Sequence, residues 1–84
     1  MHYCLITFRS VTPAQKGERL LRREGFECTL SRTPKWAEEQ GCGYSLRVMI
    51  GEVQGCVTLL REKNIPFRKV YLLRENGNAE ELFV

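Results

Sequence analysis

The chain has 84 residues, 43% of them hydrophobic and 27% charged, with a formal net charge of +3. That length supports one domain around a single modest core, and the composition is that of a globular protein. Its 13 Lys and Arg residues form no run of five or more, which argues against a nucleic-acid tail. No apolar run approaches the roughly 20 residues needed to cross a membrane.

Residues 3–9 read as a first strand. Cys4, Ile6 and Phe8 point one way and Tyr3, Leu5 and Thr7 the other, and both faces are mostly apolar, as in a central strand. Ser10-Val11-Thr12-Pro13 punctuates the chain. Thr12 reads as a helix N-cap, Pro13 as the first helical residue, and Gln15 completes a capping box. The helix runs to about Glu24, burying Ala14, Gly17, Leu20 and Leu21, with Gly25 as its stop. Gly17 costs about 1 kcal/mol against alanine inside a helix, so close packing on the sheet is expected there.

A second strand spans 26–33, with Phe26, Cys28 and Leu30 on one face, and Pro34 ends it. Residues 35–41 read as a loop holding one helical turn over 36–39. Trp36 either folds over the segment that follows or anchors the loop to the core, and the anchor is favoured. The third strand covers 44–50, with Tyr44, Leu46, Val48 and Ile50 sharing a face. A second helix spans about 52–63, burying Val53, Cys56, Val57 and Leu60, with Asn64 as its cap candidate. Ile65-Pro66 turns the chain into a last strand at 67–73. Residues 74–81 read as a frayed tail, and Leu82-Phe83-Val84 as an apolar end.

The order is β-α-β twice over. The expected fold class is α+β, ferredoxin-like βαββαβ, with a four-stranded antiparallel sheet and both helices on one face. The expected domain covers 1–75, with a C-terminal tail at 76–84. The face without helices, carrying Tyr3, Leu5 and Met49, is then open, and an uncovered apolar face points to a homo-oligomer.

Four cysteines stand at 4, 28, 42 and 56. No two have the C-x-x-C spacing, and the single histidine, His2, lies at the start, so no metal site is expected. The chain opens without the features of a secretory signal, and the expected setting is a reducing cytoplasm with free thiols. Cys4, Cys28 and Cys56 fall on apolar faces and read as core.

Cys42 differs. It stands between Gly41 and Gly43, where no neighbouring side chain covers its sulfur and glycine permits a sharp turn. Lys35 precedes it and Arg47 follows it. A positive field favours the thiolate, which is the nucleophile, and N–H groups of a glycine turn can cradle an anion. The plainer reading is a glycine turn with Cys42 as a small filler. Arg9 and Ser10, at the end of the first strand, are expected near the same loop edge of the sheet. Nothing supports a hydrolytic triad. Glu38 and Glu39 are adjacent and do not face one another as an acid–base pair, and no glycine-rich phosphate signature is present. The aromatic residues Tyr3, Tyr44, Phe67 and Tyr71 lack the basic pattern of an RNA-binding sheet.

These residues resemble the selenium/sulfur carrier-like family, a small bacterial domain, over about residues 3–73. The likeness rests on Phe8-Arg9-Ser10, on Ala14, Glu18, Leu21 and Gly25, on Pro34-Lys35, and above all on Cys42-Gly43 followed by Tyr44-Ser45-Leu46-Arg47. The resemblance implies a cytoplasmic protein that carries sulfur or selenium on Cys42 as a persulfide or selenosulfide. Its partners would be a desulfurase-type donor and an acceptor protein. It implies a carrier more than a classical enzyme, with no cofactor. Gly41 and Gly43 would shape the loop, and Lys35, Arg47, Arg9 and Ser10 would favour the anion. Lys35 stands where the family usually has arginine, and the loop from Pro34 to Cys42 is longer and more acidic. Glu38 and Glu39 would raise the Cys42 pKa if they face it. The alternative is a non-catalytic oligomeric module that regulates or binds a small ligand through the open sheet face.

Overall fold

The strand β1, Tyr3–Phe8, is buried along nearly its whole length and pairs on both sides. In this computed structural model, which describes residues 2–38 and 43–84, β1 is the middle of the sheet. It is followed by α1 (Val11–Arg23), β2 (Cys28–Arg32), a 3-10 turn at Lys35–Ala37, β3 (Tyr44–Met49), α2 (Val53–Glu62), β4 (Val70–Leu73) and β5 (Ala79–Leu82). The sheet order is β2-β3-β1-β4-β5, and all four pairings are antiparallel.

This corrects the expected four-stranded ferredoxin-like sheet. The chain is α+β overall, with a five-stranded antiparallel sheet and two helices. The fifth strand comes from the stretch read as a frayed tail. Asn76-Gly77-Asn78 makes the turn: the Asn78 N–H donates to Asn76 Oδ1 at 3.0 Å, Gly77 sits at φ +87°, and Arg74 N–H donates to the Asn78 carbonyl at 2.9 Å. Only a residue without a Cβ takes that φ at little cost. Leu82 then packs on the core, while Glu80 pairs with Arg74 and Glu81 with Lys69.

One face of the sheet carries both helices. Cys4, Ile6, Phe8, Leu46, Val48 and Val70 from the strands close on Ala14 and Leu21 of α1 and on Val53, Cys56, Val57 and Leu60 of α2. A Cβ on Gly17 would lie 3.2 Å from Leu60 Cδ2 and 3.3 Å from Leu46 Cδ1. The expected close packing is there, and it explains a glycine in mid-helix. Both helices stop as read from sequence. Phe26 N–H reaches back to the Leu21 carbonyl and Ile65 N–H to that of Leu60, with Gly25 and Asn64 at positive φ, the pattern of a Schellman cap. The start of α1 differs from the capping-box reading. Ser10, not Thr12, is the N-cap, and its side chain makes no capping hydrogen bond.

The other face is less open than expected. Leu5 and Thr7 are buried, and so is Ser45. Trp36 is 54% exposed and meets the edge of the Tyr71 ring with centroids 5.1 Å apart. Tyr71 pairs with Leu5 across β1–β4, so Trp36 braces its loop on the helix-free face of the sheet. The Arg47 guanidinium lies 5.3 Å from the centroid of the Tyr3 ring on the same face. No helix among the described residues is long and apolar enough to cross a membrane.

Candidate functional site

One corner of the sheet gathers the chemistry. It lies where β1 ends, where β3 begins and where the chain enters β4. Phe8 pairs with Tyr44, and Arg32 with Tyr44 from the other side. The hairpin continues one step further, Thr33 N–H donating to the Gly43 carbonyl at 3.0 Å. Gly43 is closed in from above. A Cβ there would lie 3.0 Å from Thr33 Oγ1 and 3.2 Å from the Phe8 carbonyl oxygen, so this position has no room for a side chain.

The third wall comes from a bulge. Thr7 N–H donates to the Lys69 carbonyl at 2.8 Å, and Arg68 N–H donates to the Thr7 carbonyl at 2.7 Å. The Lys69 N–H also donates to Thr7 Oγ1, 3.0 Å away. One residue of β1 thus faces two of the approaching chain, which re-aims the local side chains. This explains why β4 begins at Val70 rather than at Phe67. It also brings Arg68 to the end of β1 beside Arg9, where both line two adjoining hollows.

The first hollow is a notch of about 20 Å³ whose lining includes Arg9, Thr33, Ala37, Glu38, Gly43 and Arg68. The second is a cleft of about 330 Å³ between Arg9, Ser10 and Pro13 on one side and Pro66, Phe67 and Arg68 on the other. Thr33 is 6% exposed, and its Oγ1 is buried with no hydrogen-bond partner among the described residues. Arg9 and Arg68 bring guanidinium groups to both hollows, and Glu38 is the carboxylate among the described lining residues.

The residues singled out from sequence divide accordingly. Gly41 and Cys42 lie outside the described residues. Gly43 and Arg9 line the notch together. Arg9 and Ser10 line the cleft. Lys35 begins the 3-10 turn and is exposed. Arg47 is not brought to the corner. It lies opposite Leu5 and Thr29 in the middle of the sheet, four residues along the chain from Gly43, or about 13 Å of strand. Thr7, Thr33 and Arg68 were not singled out. A threonine before Pro34 looks like any loop threonine, and the bulge that turns Arg68 depends on pairing that no local pattern encodes.

The other three cysteines are buried between sheet and helices, Cys4 on β1, Cys28 on β2 and Cys56 on α2, and all are free thiols. Burial pushes the Cys4 thiol pKa up. It does the same for Cys28, against an opposing pull from Arg22, whose Nη2 donates to the Cys28 carbonyl at 2.9 Å. Cys56 is pushed to about 12, first by burial and then by the Glu52 carboxylate. A thiol in such surroundings stays protonated at neutral pH and is a poor nucleophile. Among the described residues no group of three His, Cys, Asp or Glu side chains could hold a metal ion.

A family profile described as "Putative Se/S carrier protein-like" matches residues 3–72. The chain belongs to this family. The match runs from the first residue of β1 to one short of the end of β4, so it takes in both helices and every wall of the corner. Nothing among the curated proteins, and nothing among the solved structures, matches the chain.

Proposed function

We propose that this protein carries sulfur or selenium on Cys42, held as a persulfide or selenosulfide between a donor and an acceptor protein. One observation carries the reading: Cys4, Cys28 and Cys56 are buried, with thiol pKa values pushed upward. They are unsuited to attack on a donor, which leaves Cys42 as the thiol for a family described as carriers. Support comes from the neighbourhood of Gly43, the next residue in the chain, where Arg9 and Arg68 supply positive charge beside a carboxylate, Glu38.

The exchange needs no cofactor. The Cys42 thiolate attacks the terminal sulfur of a donor persulfide. A new S–S bond forms, the donor's S–S bond breaks, and the donor leaves as its own thiolate with the electron pair. Positive charge beside the sulfur would favour the attacking anion and, afterwards, the anionic form of the cargo. Gly41 and Gly43, the neighbours of Cys42 in the chain, bring no side chains of their own, and the exposed Lys35 adds positive charge.

The test is to incubate the protein with a persulfide-bearing cysteine desulfurase and locate the added sulfur by peptide mass spectrometry. One sulfur atom is expected on Cys42, with none on Cys42→Ser. Sulfur on Cys28 or Cys56 instead, or none at all, would overturn the reading.

A further inference from the structure

The notch and cleft share Arg9 and Arg68 in their walls. We infer that they form a binding site for a small tetrahedral oxyanion of the sulfate, thiosulfate or phosphate class. This deepens the carrier reading and takes its interest from it, but it stands on described residues alone.

Three observations converge. The first is the start of α1. The N–H groups of Val11 and Thr12 have no partner within the helix, Pro13 has no N–H to offer, the Ser10 side chain caps none of them, and the first turn holds no acidic residue. A helix of 13 residues with an uncapped, carboxylate-free N-terminus favours an anion through its free N–H groups and its dipole. That end opens into the cleft through Ser10 and Pro13.

The second observation is independent of the helix. Thr33 Oγ1 is buried with no partner among the described residues. It lies beside Gly43, 3.0 Å from where a Cβ there would stand, and both residues line the notch. A buried hydroxyl without a partner costs about 1–3 kcal/mol, and an anion oxygen is an acceptor that would remove the cost.

The third is Arg9. It is exposed, lines both hollows, and has no ion pair among the described residues. Its planar fork suits two oxygens of one oxyanion. Arg68 adds charge from the opposite wall. The notch takes about one atom and the cleft the rest of a small anion. An oxyanion held here would lie beside Gly43, one residue from the thiol assigned to carriage, so thiosulfate is the chemically pointed member of the class.

The test follows backbone amide shifts of the full chain while sodium thiosulfate, and separately sodium sulfate, are added at constant ionic strength. Saturable shifts are expected at Ser10, Val11, Thr12, Thr33 and Gly43 with both anions. Arg9→Gln should weaken the affinity about tenfold, and Thr33→Val several-fold, while Cys42→Ser should leave it unchanged. Shifts that rise linearly without saturating, saturation at other residues, or an affinity indifferent to Arg9→Gln would overturn the inference. Because Arg9 is exposed, its variant reports without disturbing the core. The two readings fail separately. Loss of sulfur loading in the wild type with anion binding intact would sink only the carrier, and loading without anion binding would sink only this site.

Discussion

Two regions of this small domain would treat a thiol in opposite ways. Between sheet and helices, Cys4, Cys28 and Cys56 are enclosed by leucine, valine and phenylalanine side chains. At the loop end of β1, Arg9, Arg68, Thr33 and Gly43 line open hollows and lead directly to Cys42 in the chain. The cysteines of the first region are packing units. The regions differ in burial and charge: burial penalises a thiolate, and guanidinium groups favour one. A cysteine count alone therefore says little about reactivity.

The comparison can be broken from its buried side first. Phe8 is fully buried, its ring against Gly17 and its carbonyl against Gly43, so it belongs to both regions. Phe8→Ala should cost about 3–5 kcal/mol in urea unfolding and disturb both. A loss under about 1 kcal/mol would mean that the core does not reach the corner.

On the corner side, Gly43→Val would drive a side chain into Thr33 Oγ1 and the Phe8 backbone. The expected loss is about 1–3 kcal/mol, typical of overpacking, again read by urea unfolding. Thr33→Val has the opposite sign. It removes a buried hydroxyl without a described partner, so stability should rise by about 1 kcal/mol while anion affinity falls. A gain in one with a loss in the other is the mark of a residue kept for binding.

The pH dependence of stability sharpens the buried side. Cys56 has a folded pKa of about 12 against an ordinary value of 9.0. Below about pH 9 both folded and unfolded chains keep the proton, and this group leaves stability untouched. Between pH 9 and 12 only the unfolded chain releases it, so stability falls as pH rises through that window. Cys56→Ala should flatten the fall, and an unchanged slope would show that other groups set it. The smallest effect is at the sheet edge. Arg74→Ala removes the exposed pair with Glu80 and should cost under about 1 kcal/mol.

Much of this arrangement was legible in the residues. The alternation of Cys4, Ile6 and Phe8 marks the central strand, the helical stripes locate both helices, and Gly25 and Asn64 mark their ends. β5 was missed because Ala79-Glu80-Glu81 offers no apolar alternation, and its strand character rests on a turn and on pairing to β4. The Asn76-Gly77 dipeptide was the available signal. At the corner, Gly43, Arg9 and Ser10 could be named from sequence because they flank a thiol or end a strand. Thr33 and Arg68 could not, since a hydroxyl becomes buried and an arginine is re-aimed only by contacts between distant parts of the chain. The distance of Arg47 from the corner was readable too, since a strand advances about 3.3 Å per residue.

The central claim is that Cys42 is the reactive thiol. The most direct measurement is native-state alkylation of all four cysteines across pH, resolved by residue with mass spectrometry. The account predicts that Cys42 reacts much faster than the other three, with an apparent pKa below about 8.5, and that Cys56 stays unmodified until the protein unfolds. A Cys42 no faster than Cys28, or one that titrates at the ordinary value, would contradict it.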